Sequence, residues 1–144
     1  MKCAFCENQE NKDRQVHENE HAWCFPTSQP IVPGHLLIIP KRCVAKFVDM
    51  NEQERSAIFE LLKTIQPALK QAFDCSGFNL AWNEGAVAGQ TVPHFHLHVV
   101  PRKDGDTGIS EYEPRKFLYR PGSREDSPQK ELLAVTELVR SNIQ

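Results

Sequence analysis

No stretch of this 144-residue chain is apolar for long enough to span a bilayer, and its opening, Met1-Lys2-Cys3-Ala4-Phe5-Cys6, lacks the apolar core of a signal peptide. Neither sign of charge dominates. Lys and Arg number 17 against 19 Asp and Glu, so no strong overall field draws the protein to a nucleic-acid polymer or a membrane. Internal repeats and low-complexity tracts are missing as well. The simplest expectation is one domain, 1–144, large enough to bury its own core and working in the cytoplasm. Five cysteines without a secretion signal fit reduced thiols or metal ligands better than a disulfide framework.

Histidine, by contrast, is concentrated. His94, His96 and His98 alternate with apolar residues in Thr91-Val92-Pro93-His94-Phe95-His96-Leu97-His98-Val99-Val100-Pro101-Arg102. Period-2 alternation predicts a half-buried strand over this run, with three imidazoles on one face and Phe95, Leu97 and Val99 turned to a core. Imidazole near neutral pH can be nucleophile, proton donor or metal ligand.

The remaining elements follow from composition and spacing. Trp23 to Phe25 predicts a short strand, Thr27 to Gly34 a proline-rich turn, and Leu36 to Ile39 a buried strand stopped by Pro40. Asn51, with Glu54 three residues on, predicts a capped helix carrying Ile58, Leu61, Leu62, Ile65, Leu69 and Phe73, which Pro67 should kink or divide. Phe78 to Asn83 alternates as a strand with Phe78, Leu80 and Trp82 on one face, antiparallel to the histidine strand. Gly105 to Gly122 looks irregular, and a helix opening at Ser127-Pro128 carries Leu132, Val135, Leu138 and Val139, so 105–144 forms a loop-plus-helix extension. Strands and helices segregate, which predicts an α+β fold with an antiparallel sheet.

The loop Glu84-Gly85-Ala86-Val87-Ala88-Gly89-Gln90 separates two uses of the histidines. Gly89, Gln90 and Thr91 place a small residue, an amide, a hydroxyl and free backbone N–H groups beside them, donors suited to phosphate oxygens. A zinc hydrolase ligated by His94, His96 and His98 would not need these donors.

Pro30-Ile31-Val32-Pro33-Gly34-His35, Asn83-Glu84-Gly85, and the run from Gly89 to Arg102 together resemble the histidine triad (HIT) family, whose signature is His-φ-His-φ-His-φ-φ with φ apolar. The resemblance implies an α+β fold with a five-stranded antiparallel sheet, one main helix and a C-terminal helix, commonly in a homodimer. It also implies a nucleotide substrate attacked at its α-phosphate. By position, His96 matches the nucleophile, His98 the histidine that contacts phosphate and assists the leaving group, and His35 the histidine after the turn. Thr27, Asn83, Gly89, Gln90 and Thr91 fall at substrate-binding positions; family members usually carry Asp or Asn, a ribose ligand, where Thr27 stands. Arg102 and Lys103 after the triad resemble the dinucleoside polyphosphate hydrolase branch, and Arg115, Lys116, Arg120 and Arg124, beside Phe117 and Tyr119, could hold distal phosphates.

Cys3-Ala4-Phe5-Cys6 has the spacing of half a tetrahedral zinc site. Several HIT-like proteins complete such a pair with two histidines, whose positions here are Cys43 and His94. The expected set is therefore Cys3, Cys6, Cys43 and His94 around a structural zinc, with Cys24 and Cys75 as ordinary thiols. The expected function is a nucleotide hydrolase cleaving a dinucleoside polyphosphate or a nucleoside phosphoramidate through a nucleotidyl-His96 intermediate. Alternatives are nucleotidyl transfer, or a nucleotide-binding regulatory protein of low activity.

Overall fold

The computed structural model describes residues 3–106 and 126–144. Two short helices at the start, α1 (Ala4–Glu7) and α2 (Gln9–Asp13), were not anticipated from the polar sequence; Asn8 caps the second by accepting from the Glu10 N–H. Five strands follow along the chain: β1 (His17–Glu18), β2 (Ala22–Pro26), β3 (Leu36–Pro40), β4 (Gly77–Ala81) and β5 (Leu97–Arg102). They form one antiparallel sheet in the order β1-β2-β3-β5-β4. Between β3 and β4 runs α3 (Glu52–Phe73), and α4 (Gln129–Arg140) closes the chain. The α+β class with an antiparallel sheet is as the sequence pattern predicts, and its five strands are those the resemblance implies.

One face of the sheet packs on α3. Ala22, Cys24, Leu36, Ile38, Leu97 and Val99 meet Ala57, Ile58, Leu61, Ile65, Ala68 and Leu69 in a single buried cluster that Val139 of α4 joins. Each large aliphatic side chain buried there contributes roughly 1.5–3 kcal/mol. That stripe continues on both sides of Pro67, so α3 runs through it undivided, although an interior proline costs about 3 kcal/mol. At the start of α3 the Asn51–Glu54 capping box is complete, and Glu54 also takes a two-pronged bond from Arg42 at 3.0 and 2.7 Å. The Arg42 hydrogen bonds hold the Glu54 carboxyl below its usual pKa and tie the segment bearing Cys43 to the helix.

Several boundaries differ from expectation. β4 ends at Ala81, because at the sheet edge Trp82 turns to donate its indole N–H to Glu84 and stack on Phe47. Phe78 packs against the core, while Leu80 and Trp82 are 45% and 39% exposed. Pro128 is the N-cap of α4 instead of its first helical residue, and Leu138 is exposed, its place on the buried stripe taken by Thr136. The histidine strand is the largest difference. β5 begins only at Leu97, since the Val92 carbonyl accepts from the His94 N–H in a turn and the Phe95 N–H donates to Val44. The histidines therefore do not form one row.

Candidate active site and metal cluster

On the sheet face opposite α3, register places Phe25 of β2, Leu37 of β3 and His98 of β5 side by side. Helix α1 lays Phe5 across this row: its ring stands edge-on to Phe25 at 5.5 Å and to His96 at 5.1 Å. Around the floor lies a cleft of about 380 Å³ whose walls include Thr27, Asn83, Gly89, Thr91, His96 and His98. Six of the sequence-chosen substrate and catalytic positions thus share one cavity. His35 and Gln90 do not line it.

Backbone contacts fix the tautomers of His96 and His35, and His35 in turn fixes that of His98. The His96 Nδ1–H donates to the His94 carbonyl at 2.8 Å, which leaves Nε2 with a lone pair. Burial lowers the His96 pKa, the His94 carbonyl partly opposing, so the ring is neutral at neutral pH. The Ile31 N–H donates to His35 Nδ1 at 3.0 Å, so the His35 proton sits on Nε2 and is donated to His98 Nδ1 at 2.9 Å. His98, whose ring is 5.1 Å from that of His96, then carries its own proton on Nε2. His35 is 1% exposed and stands behind His98, where it orients that ring. The turn that delivers it is tight: Gly34 has φ +91°, and a Cβ there would come within 2.7 Å of the Phe73 ring.

The glycine loop is built differently from expectation. The Gly89 and Gln90 N–H groups close turns onto Ala86 and Gly85, so they are not free for a ligand. The N–H groups of Thr91 and Val92, which line the cleft, have no acceptor among the described residues. Gln90 is a brace, its amide accepting from the Gly85 N–H and donating to the Ala45 carbonyl. Asn83 steadies the same loop through Ala88. At the other side of the cleft the Thr27 hydroxyl accepts from the Gln29 N–H.

Cys3, Cys6, Cys43 and His94 bring their ligand atoms within 4.8 Å of one another, close enough to hold a metal. Cys3 and Cys6 Sγ stand 3.3 and 3.5 Å from His94 Nδ1, while the His94 Nε2–H donates to the Pro40 carbonyl at 2.7 Å. That second bond selects the tautomer whose Nδ1 lone pair faces the thiols. At Cys3 burial opposes ionisation, but hydrogen bonds from the Cys6 N–H and from the Cys43 and Cys6 thiols outweigh it, and its pKa falls below the ordinary thiol value. Burial and the charge on Cys3 push Cys6 up to about 12 and raise Cys43. Three thiolates cannot coexist here without a compensating cation, which is the chemistry of a metal site. No other grouping of three or more metal-capable side chains occurs among the described residues, so His94, His96 and His98 do not converge as a ligand trio.

Arg102 is committed elsewhere, to Asp106 at 2.8 and 2.6 Å and to Asn79, and Lys103 reaches the Phe73 carbonyl. Residues 115 to 124, with their cations and aromatics, lie outside the described residues. Phe5, Phe25, Leu37, Asn8, Asn11 and Arg14, all of which line the cleft, do not stand out in the sequence as site residues. Alternation along β2 could have turned Phe25 away from Cys24, and the Cys-x₂-Cys pair brackets Phe5.

With this geometry in place, comparison with known proteins is informative. Residues 8–105 match the HIT domain, and the chain belongs to that family. An uncharacterised HIT-like protein of Mycoplasma genitalium is 40% identical over 109 residues, covering 74% of this chain and 77% of that one. A bis(5'-nucleosyl)-tetraphosphatase (asymmetrical) of Schizosaccharomyces pombe is 39% identical over 82 residues, 57% of this chain but 45% of that protein. Among solved structures, a zinc-bound histidine triad family protein from Mycobacterium smegmatis superposes with a TM-score of 0.74 at 28% identity, covering 99% of this chain and 93% of that one.

Proposed function

We propose that this protein is a nucleotide hydrolase that cleaves a dinucleoside polyphosphate or a nucleoside phosphoramidate at the α-phosphate. The observation that carries this is the tautomer pair: a neutral His96 with its Nε2 lone pair toward the cleft, beside a His98 that bears a proton on Nε2. His96 Nε2 attacks phosphorus in line, forming a P–N bond as the bond to the leaving group breaks. The His98 Nε2–H hydrogen-bonds the departing atom as negative charge builds on it, any proton the leaving group takes up comes from solvent water, and His35 holds the His98 ring in the orientation that presents its N–H. Donors at Thr91 and Val92 meet the phosphoryl oxygens. Water then attacks the nucleotidyl-His96 and gives up one proton to solvent, the P–N bonding pair returns to His96 Nε2, and nucleoside monophosphate leaves with His96 neutral again.

The test is a panel of diadenosine polyphosphates and adenosine phosphoramidates with product analysis. Every cleaved substrate should yield AMP as one product. Products lacking AMP, or an acceptor-dependent reaction that transfers the nucleotide to phosphate or a sugar phosphate, would overturn the hydrolase assignment.

The metal held by Cys3, Cys6, Cys43 and His94 is zinc on this reading, because three thiols and one imidazole form an established zinc set and a structural relative is zinc-bound. With four protein ligands its role is structural, and reduced thiols of this kind suit the cytoplasm. We further infer a homodimer through β4. Among the described residues that strand ends the sheet with one side unpaired, and Leu80, Trp82 and Phe59 (48% exposed) leave an apolar surface beside it. Leu80→Glu should convert a two-copy particle of the 16.4 kDa chain into monomers in light scattering. A wild-type monomer would refute the pairing.

A further inference from the structure

The proposed chemistry leaves one cation in the cleft wall unused. Arg14 is only 3% exposed. Its Nε–H donates to the Pro26 carbonyl at 2.8 Å, one Nη1–H to Gln129 Oε1 at 2.9 Å and one Nη2–H to Asn11 Oδ1 at 2.5 Å. A guanidinium has five N–H donors, so each Nη retains one without an acceptor among the described residues. No carboxylate among these residues makes an ion pair with it. Burial lowers its pKa, against the more distant field of Glu10. A buried guanidinium facing only neutral oxygens is costly, and an arriving ligand with acceptors for the spare donors would offset that cost.

Position says which part of a ligand arrives there. From His96 to Phe5 is 5.1 Å between ring centres, from Phe5 to Phe25 5.5 Å, and from Phe25 to the Arg14 guanidinium carbon 5.8 Å. Two aromatic rings that line the same cleft thus connect the nucleophile to Arg14. A nucleotide with its α-phosphorus at His96 would set its base against Phe5 and turn a base edge to Arg14. The neighbouring amides reinforce the sign. Asn8 spends its oxygen on the Glu10 N–H, and Asn11 spends its oxygen on Arg14 and its NH₂ on the Ala4 carbonyl, so the spare capacity of Asn8 and Arg14 is in donors. Glu10 and Asp126 also line the cleft, but both are exposed, and Asp126 accepts from the Gln29 amide.

We propose that Arg14 reads the base, selecting a purine with two adjacent acceptors, O6 and N7, as in guanine or hypoxanthine, over adenine. Adenine sets its N6 amino donor against the guanidinium donors and forfeits the two-pronged contact. The inference rests on the cleft being a nucleotide site, and equilibrium binding separates it from the proposed turnover.

Titration calorimetry with GMP, IMP and AMP on the full chain, its Arg14→Lys and Arg14→Gln variants, and thermal melts of each, tests it. Wild type should bind GMP and IMP about ten-fold or more tighter than AMP. Both substitutions should erase that preference by weakening GMP and IMP while AMP changes little. Loss of affinity for all three nucleotides together would make Arg14 a scaffold and overturn the proposal. Equal affinities in wild type would do so even if neither variant folded. If the base preference holds but guanosine phosphoramidate is not cleaved, the hydrolase assignment fails and the base-reading role stands; cleavage without base preference has the opposite meaning.

Discussion

Replacing His96 with alanine should cut release of nucleoside monophosphate by about 10⁴-fold or more, since no other group can form the covalent intermediate. Nucleotide affinity should change little. Phe25 and Leu37 are held by the pairing of β2 with β3, and the donors of Thr91 and Val92 are backbone groups; only Phe5 loses a ring contact with His96. His98 is held from behind by His35, and that bond survives the substitution. Single-turnover kinetics and calorimetry on the same preparation measure both quantities. A variant that kept near-normal turnover would remove His96 from the chemistry. One that lost binding in proportion would make it a packing residue.

Removing the metal should have the second large effect, on stability first. The cluster joins the start of the chain to the turn before β5 and to the segment after β3. Loss of such a centre costs upwards of about 4 kcal/mol, which lowers the melting temperature by roughly 10 °C or more in a chain of this size. Elemental analysis should find one zinc per chain, and Cys3→Ser should lose it. Cys43→His should keep it, because histidine is an equally good ligand at the exposed corner of the set. Because Cys6 and Cys43 have raised pKa values without the metal, loading must displace their protons, so affinity should fall as pH is lowered. Turnover should drop with the metal, since the carbonyl that fixes the His96 tautomer belongs to His94. Metal-free protein with unchanged melting would contradict a structural centre here.

Much of this was legible in the sequence because several constraints coincide on the same residues. The capping box at Asn51 and the stripe from Ile58 to Leu69 specify α3 twice over, and the apolar run Leu36 to Ile39 can only be buried. Of the metal set, Cys3 and Cys6 were legible through residue type and spacing, whereas Cys43 and His94, on two distant segments, followed only from the resemblance to HIT-like proteins. The division among His94, His96 and His98 was expected, but its means was not. A period of two reads as a strand, and periodicity cannot reveal that the Phe95 N–H bonds Val44 and holds the chain off the sheet until Leu97. Nor could it reveal that Gly89 and Gln90 spend their N–H groups inside the loop. Arg14 was invisible for a related reason: a lone arginine in a polar stretch looks solvated, and only the folding of α1 and α2 over β2 buries it.

The most direct measurement is alkaline quench of the enzyme during turnover of an α-labelled nucleotide, followed by peptide mapping at alkaline pH. The account predicts one acid-labile nucleotidyl group per active site, on the peptide containing His96 and at its Nε2, absent from His96→Ala. Steady turnover with no adduct under conditions that preserve phosphoramidates, or an adduct on His98 or His35, would contradict it.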